Sequence, residues 1–383
     1  MVCSALILAA CSLAFPIIAG DEIDIKISGG ISPSPISSDA VRAQGPWTFD
    51  LDADPETAWQ SIVQGTNFTE LKNFIDVVFR ELNMTKLRPR LEKLLENAVD
   101  ILGKRYAAEL RGIAKASGLA VADVLVLNLF YEVSGGCTSI VASDYGRGSV
   151  IHGRNLDYSI KGLRPITAVV NFVKNQKVVY SCTTYVGYVG CLTGSRPGGW
   201  SVSVNERDSS GKFLTKLLLN LLETAFEGGQ SIGIFLRDLL ETKATYKDAL
   251  QDIQSGHLVR PVYLTVAGVG IHEGAVITRD RNGVARGPNG EIGVRALSSN
   301  QTWVLQTNDD SWDPPADDRR NAGNGMMAFV CRDATAYGKA KATCGEDGLF
   351  ATLSSKPILN YHTTYTTLMS AAWGRHTSVV RHI

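Results

Sequence analysis

The sequence predicts an α+β fold in which helices cover packed antiparallel sheets. Three features predict it: helical periodicity before Gly136, short strands rich in Val, Ile, Thr and Tyr after it, and a later return of helices and then of strands. Segregated runs of helices and strands are typical of layered α+β domains. The 383 residues are 44% apolar and 20% charged, which indicates an ordinary globular core in one large domain or two small ones.

The first twenty residues are nearly all apolar or small, and charge begins at Asp21 and Glu22. This pattern predicts a signal peptide over residues 1–20, although the absence of Lys and Arg leaves an uncleaved anchor as an alternative. We therefore expect the secretory route and a soluble mature protein. Three possible glycosylation sites agree with that route, namely Asn67, Asn83 and Asn300.

The segment between this leader and Gly136 is mostly helical in pattern. Residues 21–45 show no sustained period, whereas apolar residues recur at three- and four-residue spacing between Ala58 and Val133. Leu119 to Tyr131 is a further apolar helix candidate. The first third of the chain is therefore expected to be α-helical.

Beyond Gly136 the pattern changes to strands separated by Gly, Asn or Asp turns. Helices are expected again at Phe213–Phe226 and Ser231–Leu240. Strands are expected at residues 137–144, 149–158, 166–173, 177–190, 200–207, 262–269, 274–280 and 303–308.

Charge and motifs exclude several classes of function. Lys plus Arg and Asp plus Glu both number 38, so no net field recruits nucleic acid. No HExxH or CxxC spacing suggests a metal, and no other motif suggests a cofactor.

Cysteine parity singles out one thiol. Five cysteines remain once Cys3 and Cys11 leave with the leader, and an odd count in an oxidising compartment leaves one of them free. The natural pairs are Cys182 with Cys191 and Cys331 with Cys344. Cys137 is then the free thiol.

Cys137 follows Gly135 and Gly136 at the boundary between the helical and strand-rich parts. Two glycines permit backbone geometry that would bring the thiol against the Gly136 carbonyl. The alternative is a turn followed by a buried cysteine. A papain-like Cys/His pair is the competing mechanism, but none of the six histidines has a diagnostic context: His152, His257, His272, His362, His376 and His382.

A set of ordered motifs resembles the family of acid ceramidase and N-acylethanolamine-hydrolysing acid amidase. From Cys137 onward they are CTSIVASD, IHGRNLDY, TYVGYVGCLTG, VNERD, VITRDR, QTNDDSW, DDRR and PILNYHTTYTTLMSA, and WTFDLDADPETAW precedes them. The resemblance implies the αββα sandwich of N-terminal nucleophile hydrolases. It also implies self-cleavage between Gly136 and Cys137 into a helical α subunit, residues 21–136, and a catalytic β subunit, residues 137–383.

The same resemblance assigns the site residues. Cys137 would be the nucleophile and would supply its own α-amine as base. Arg154 would lower the pKa of the thiol, and Asp157 would hold the α-ammonium. Asn308 would donate to the oxyanion, while Glu206 and Arg319 would support the site by hydrogen bonds and charge balance or form a purely structural ion pair.

Two departures from the family accompany these matches. Asp309 replaces the family tyrosine after the asparagine, which adds a carboxylate near the proposed oxyanion hole. Residues 21–136 contain no cysteine, so cleaved subunits must associate without a disulfide.

The resulting hypothesis is a lysosomal lipid amidase that forms a Cys137 thioester and acts on ceramide. VNERDSSGKF, QTN and KPILN favour ceramide, whereas GRNLDY and LMSA favour an N-acylethanolamine. Other possibilities are a non-catalytic lipid-binding member, a peptide or bile-salt type amidase, and an extracellular location. The expected partners are a lipid amide, a transient membrane surface, and the two subunits of one precursor.

Overall fold

A computed structural model describes residues 40–69, 72–73, 76, 89, 99–130, 136–158, 161–207, 228–331 and 344–382. The predicted signal peptide, the sequon at Asn83 and the predicted helix at Phe213–Phe226 lie outside these residues. Within the described part, no helix is long and apolar enough to cross a membrane.

The described elements come in successive groups of helices and strands after an N-terminal pair of strands. The helices are α1 (Gln60–Gln64), α2 (Lys104–Ser117), α3 (Val121–Phe130), α4 (Ile232–Thr242), α5 (Tyr246–Ser255), α6 (Arg319–Val330) and α7 (Glu346–Leu353). The strands are β1 (Ala40–Arg42), β2 (Gln44–Asp50), β3 (Gly136–Asp144), β4 (Ser149–Asp157), β5 (Thr167–Lys174), β6 (Lys177–Tyr185), β7 (Thr193–Arg196), β8 (Trp200–Glu206), β9 (Val262–Ala267), β10 (Gly274–Asp280), β11 (Gly283–Val284), β12 (Val294–Ala296), β13 (Trp303–Gln306), β14 (Thr363–Ser370) and β15 (Arg375–Arg381).

These strands form two sheets. The first sheet has the order β1-β15-β14-β4-β3-β13, and the second has the order β11-β10-β9-β8-β7-β6-β5-β2, with β12 beside β10. The pairs are antiparallel except for β2 and β5, which run parallel. Strands β3 and β4 lie in the middle of the first sheet, in contact with β8 and β9 of the second.

The face between the sheets is polar over much of its area. His152 on β4 contacts the hydroxyl groups of Ser201 and Ser203 on β8 at 3.0 and 2.8 Å. Ser139 on β3 bonds Asn205 at 2.7 Å, also across the sheets. Buried polar groups are tolerated where each finds a partner, and here these bonds fix how the sheets lie against each other.

Apolar cores lie on the two outer faces of the sheets. Helices α6 and α7 cover the first sheet through residues such as Ile140, Leu305 and Leu349. Helices α2 to α5 cover the second through residues such as Leu110 and Leu236. The predicted αββα layering is confirmed.

Two differences from the sequence pattern concern strands. β1 and β2 lie before Gly136, where no strand was predicted, and they complete the edges of the two sheets by pairing with β15 and β5. β2 is short and largely exposed, so its residues carry no sustained alternation. β14 is buried on both faces but rich in threonine, so hydrophobic periodicity does not reveal it.

A buried ion pair joins the part of the chain before Gly136 to the part after it. Arg237 on α4 donates to both carboxylate oxygens of Glu109 on α2, at 2.6 and 2.9 Å, and neither side chain is exposed. Trp59 also donates to Glu109, at 2.7 Å, and Arg237 donates to the Val189 carbonyl oxygen at 2.8 Å. Burial opposes the charge of Arg237, but the Glu109 carboxylate raises its pKa well above the ordinary value.

We expect Glu109→Gln to lower the free energy of unfolding by about 3–5 kcal/mol, because it leaves the Arg237 guanidinium buried without its counter-charge. Urea denaturation followed by circular dichroism measures the change. The matched control is Arg111→Ala on the same helix, whose partner Asp100 is 67% exposed and whose loss should cost at most about 1 kcal/mol. Equal effects of the two substitutions would contradict the prediction.

Candidate active site

The proposed nucleophile lies where β3 begins and β4 ends. Antiparallel pairing sets Gly136 opposite Asp157, Cys137 opposite Leu156 and Ser139 opposite Arg154. Alternate residues of a strand point to the same face, so Cys137 and Ser139 share one face. The hairpin thus brings a thiol, a guanidinium and a carboxylate to one end of the sandwich.

Gly136 is part of a regular strand and does not adopt a left-handed conformation. Its lack of a side chain matters for space instead. A Cβ at this position would lie 3.3 Å from the Asp157 Cβ and 3.7 Å from an Arg319 nitrogen. The close approach of these two side chains to the peptide bond before Cys137 therefore favours glycine; Gly135 lies outside the described residues.

The Cys137 thiol is buried and contacts Arg154. Arg154 Nη2 lies 2.8 Å from Cys137 Sγ and 3.0 Å from the Val204 carbonyl oxygen. Arg154 Nη1 donates to the Leu192 carbonyl oxygen at 3.2 Å and to Thr193 Oγ1 at 2.7 Å. A guanidinium beside a thiol favours the thiolate, which agrees with the role expected for Arg154.

Aromatic and disulfide contacts surround this guanidinium. The Tyr365 ring lies 5.8 Å from it, and the Tyr365 hydroxyl contacts Thr193 Oγ1 at 2.8 Å. Cys191, which precedes Leu192 and Thr193, is bonded to Cys182. Arg154 therefore donates to a segment that begins at a disulfide-bonded cysteine.

Asn308 contacts the backbone nitrogen of Cys137. Its Oδ1 accepts from Cys137 N at 2.9 Å, and its Nδ2 donates to the Glu206 carbonyl oxygen at 2.9 Å. In the intact chain, Asn308 thus orients the peptide bond before the nucleophile. The oxyanion role expected for Asn308 from the sequence stays a prediction.

Arg319, at the start of α6, connects the same groups. Its Nη1 donates to the Cys137 carbonyl oxygen at 3.0 Å, and its Nη2 donates to Asn308 Oδ1 at 3.1 Å. Nη1 also lies 3.6 Å from Asp157 Oδ2. Burial opposes its charge, but hydrogen bonds to Asp317 and the charge of Asp157 raise the pKa of Arg319.

Asp157 is buried beside the peptide bond between Gly136 and Cys137. Burial raises its pKa above the ordinary value, while Arg319 and the hydrogen-bond donors around it act in the opposite direction. Oδ2 accepts from Asn360 Nδ2 at 3.1 Å. Within the described residues, Oδ1 has no hydrogen-bond partner; the role of Asp157 in holding the α-ammonium stays a prediction.

Glu206 supports the site mainly through its backbone. Its carbonyl oxygen accepts from Asn308, whereas its carboxylate accepts from Arg260 Nη2 at 2.9 Å. Both of these charged side chains are at most 7% exposed. The alternative to a supporting role for Glu206 was a structural ion pair. Its carboxylate forms such a pair with Arg260.

The two most deeply buried histidines bond hydroxyl groups. His152 contacts serines on β8, and His376 contacts Thr183 and Ser195 at 2.7 and 2.8 Å. Burial lowers the pKa of each to about 3. Both are therefore neutral parts of the interface between the sheets.

Among the described cysteines, Cys182 is bonded to Cys191 and Cys331 to Cys344, while Cys137 is free. The sequons at Asn67 and Asn300 are exposed. Asp309 is half-buried and its Oδ2 accepts from Thr307 Oγ1 at 3.3 Å. No group of three or more metal-ligating side chains occurs in the described part of the chain.

Sequence reasoning missed several residues that complete the site, namely Leu192, Thr193, Val204, Asn360 and Tyr365. All five lie within motifs already recognised, which was the available signal. Two contribute only a carbonyl oxygen to Arg154, and side-chain type carries no information about such a contact.

Comparison with known proteins agrees with this geometry. The family model of linear amide C–N hydrolases, choloylglycine hydrolase family, matches residues 137–355. Acid ceramidase of Mus musculus is 30% identical over 375 residues, covering 91% of this chain and 90% of the relative. N-acylethanolamine-hydrolyzing acid amidase of Rattus norvegicus is 33% identical over 325 residues, covering 84% of each.

A solved structure extends the likeness to the fold. The Caenorhabditis elegans N-acylethanolamine-hydrolyzing acid amidase ortholog has a TM-score of 0.54 and 33% identity, and the match covers 64% of this chain and 100% of that chain. The chain therefore belongs to the choloylglycine hydrolase family of linear amide C–N hydrolases, in the group of acid ceramidase and N-acylethanolamine-hydrolyzing acid amidase, and has the N-terminal nucleophile hydrolase fold.

Proposed function

We propose that this amidohydrolase is a proenzyme that cuts itself before Cys137 and then hydrolyses a lipid amide, with ceramide as the preferred substrate. The observation that carries the proposal is the Cys137 thiol 2.8 Å from the buried Arg154 guanidinium, with the preceding peptide nitrogen bound to Asn308. This arrangement holds both a nucleophile and the bond that must break.

In the proposed cleavage, Cys137 Sγ attacks the Gly136 carbonyl carbon and the carbon–nitrogen bond to Cys137 N breaks. The nitrogen takes a proton and becomes the free α-amine, and water then hydrolyses the thioester to release the Gly136 carboxyl group. Arg154 favours the attacking thiolate. Arg319, bound to the Cys137 carbonyl oxygen, holds the new N-terminal residue in place.

In the proposed hydrolysis, the same thiol attacks the amide carbonyl carbon of the substrate. The Cys137 α-amine passes a proton to the departing amine, and water hydrolyses the resulting acyl thioester to release the fatty acid. Asn308 Oδ1 accepts from this nitrogen and fixes its position. The Asn308 side-chain amide is the proposed donor to the oxyanion.

Asp157 is proposed to balance the new terminal charge. Its buried Oδ1 lacks a hydrogen-bond partner within the described residues of the uncleaved chain. Cleavage creates an ammonium group at Cys137, directly after the Gly136 that packs against Asp157, and an opposite charge stabilises a buried carboxylate. In this proposal the Asp157 carboxylate is the counter-charge for the Cys137 α-ammonium, which only the cleaved protein carries.

Three observations support a two-subunit product. The family model begins its match at residue 137. The solved Caenorhabditis elegans chain is matched along its whole length, yet it covers only 64% of this chain, close to the share that follows Gly136. Glu109 and Arg237 would hold the subunits together across the cut, and β1 and β2 remain paired with β15 and β5.

The choice of ceramide over an N-acylethanolamine rests on the VNERDSSGKF, QTN and KPILN motifs. The relatives carry both names at similar identity. The leader and sequons support the secretory route and, with the names of the acid-acting relatives, a lysosomal location; secretion is the alternative.

We expect Cys137→Ala to abolish both self-cleavage and hydrolysis, because one sulfur performs both attacks. Mass spectrometry of acid-treated protein should find the intact chain for the variant and a fragment beginning at Cys137 for the parent. The control is Thr138→Val, a change of similar size on the opposite face of β3. A fragment beginning at residue 137 in Cys137→Ala would refute self-cleavage.

Competition between two lipids in one assay tests the substrate. With ceramide and an N-acylethanolamine of the same acyl chain, we expect the larger kcat/KM for ceramide. The released sphingoid base and ethanolamine are quantified together, with Cys137→Ala as the blank. A larger kcat/KM for the ethanolamide would reverse the assignment, and no release from either lipid would reject the lipid amidase.

The raised pKa of Asp157 predicts how stability depends on pH. The folded chain holds this proton more tightly than the unfolded chain, whose Asp pKa is about 4, so stability falls as pH rises from that value through the raised one. In a non-cleaving Cys137→Ala background, Asp157→Asn should therefore raise Tm relative to its parent more at pH 7 than at pH 4.

Differential scanning calorimetry at both pH values measures this difference. Asp318→Asn, which changes an exposed carboxylate, is the matched control and should show no such trend. A Tm difference for Asp157→Asn that is constant or smaller at pH 7 would contradict the raised pKa.

A further inference from the structure

The loop between β13 and α6 carries Asn308, and both sides of that residue are anchored. On the N-terminal side, Asn205 Nδ2 donates to the carbonyl oxygens of Gln306 and Thr307, each at 3.0 Å. On the C-terminal side the anchor is Asp310. These anchors set the path of the backbone at Asn308, whose side chain bonds Cys137, Glu206 and Arg319.

Asp310 forms a bidentate ion pair with Arg207. Arg207 Nε donates to Oδ1 at 2.7 Å, and Nη2 donates to Oδ2 at 2.8 Å. The two side chains are only 14% and 15% exposed. A guanidinium fork on a carboxylate fixes direction as well as distance, so this pair is rigid.

Two further groups hold the same residue. The Tyr263 hydroxyl donates to Asp310 Oδ1 at 2.8 Å and lies 3.4 Å from the Asn308 carbonyl oxygen. Arg320 Nη1 donates to the Asp310 carbonyl oxygen at 2.7 Å. We call Arg207, Tyr263, Asp310 and Arg320 the Asp310 clamp.

Two residues of the Asp310 clamp directly follow residues of the active site in the chain. Arg207 follows Glu206, whose carbonyl oxygen accepts from Asn308 Nδ2. Arg320 follows Arg319, which donates to Asn308 Oδ1 and to the Cys137 carbonyl oxygen. A shift of Asp310 would therefore disturb the contacts of the Asn308 amide with Glu206 and Arg319.

We propose that Asp310 is a positioning residue, which sets Asn308 against the Cys137 nitrogen through the clamp; this rests on the proposed roles of Cys137 and Asn308. Asp310 acts on the reaction through the loop alone. Its loss should lower the rate of the chemical steps and leave substrate affinity unchanged, because small displacements of reacting groups cost large factors in rate.

The test is Asp310→Asn, which keeps the side-chain volume and removes the charge. We expect kcat for the lipid amide to fall by about 10- to 100-fold with KM within about twofold. Self-cleavage of the precursor should slow by a similar factor. The measurements are steady-state kinetics on processed enzyme and a time course of fragment formation by mass spectrometry.

The matched control is Asp280→Asn. Asp280 is the other carboxylate bound to Arg207, but it is 59% exposed and lies on β10, away from the Asn308 loop. The Asp280→Asn variant should have a kcat and a rate of self-cleavage within about twofold of the parent. Equal kcat in Asp310→Asn and Asp280→Asn, or a change confined to KM, would overturn the proposal.

Tyr263→Phe gives a second test should Asp310→Asn not fold. It removes only the hydroxyl shared by Asp310 and Asn308, so a lower kcat with unchanged KM supports the clamp, and parental kcat overturns it.

Activity remaining in Cys137→Ala would instead refute the proposed function. A Cys137-dependent enzyme with normal kcat in Asp310→Asn would refute the clamp alone.

Discussion

A buried guanidinium needs hydrogen-bond acceptors for its donors. The centre of this protein is built around the guanidinium of Arg154. Its donors meet Cys137 Sγ, the carbonyl oxygens of Leu192 and Val204, and the Thr193 hydroxyl. An uncompensated charge at this depth would cost several kcal/mol. The position of Arg154 therefore ties one strand of the first sheet to two strands of the second, with the thiol between them.

The buried face between the two sheets is polar for the same reason, because it must accommodate the Arg154 guanidinium. A face that accepts a guanidinium also suits neutral histidine, serine, threonine and asparagine, whose bonds across the gap are directional. His152, Ser139 and Asn205 illustrate this, with partners between 2.7 and 3.0 Å away. The larger apolar clusters lie on the outer faces, where helices cover them, and a smaller one that includes Val141 and Val276 lies between the sheets. The directional bonds of the inner face set how the two sheets align.

The residues around Cys137 hold the groups beside the peptide bond that we propose is cleaved. Asn308 and Arg319 hold the nitrogen and the carbonyl oxygen of Cys137 in the intact chain. Asp157 lies buried beside them, with its pKa raised while no ammonium is present. The segment before Gly136 contributes edge strands to both sheets and Glu109 to a buried ion pair. We propose that these contacts retain the segment after cleavage.

The sequence by itself determined the layered fold class, most strands between Cys137 and Gln306, the isolation of Cys137 by cysteine parity, and the motif set that identifies the family. These features depend on local periodicity or on counting. It did not reveal the helices α5 to α7 or the strands β1, β2, β7, β11, β12, β14 and β15. Very short strands, edge strands and threonine-rich strands lack a clear hydrophobic period. Only the tertiary structure decided that Asn308 Oδ1 accepts from the Cys137 nitrogen and that Asp310 anchors its loop. Those contacts join residues more than a hundred positions apart or depend on backbone oxygens, and their register is set by packing.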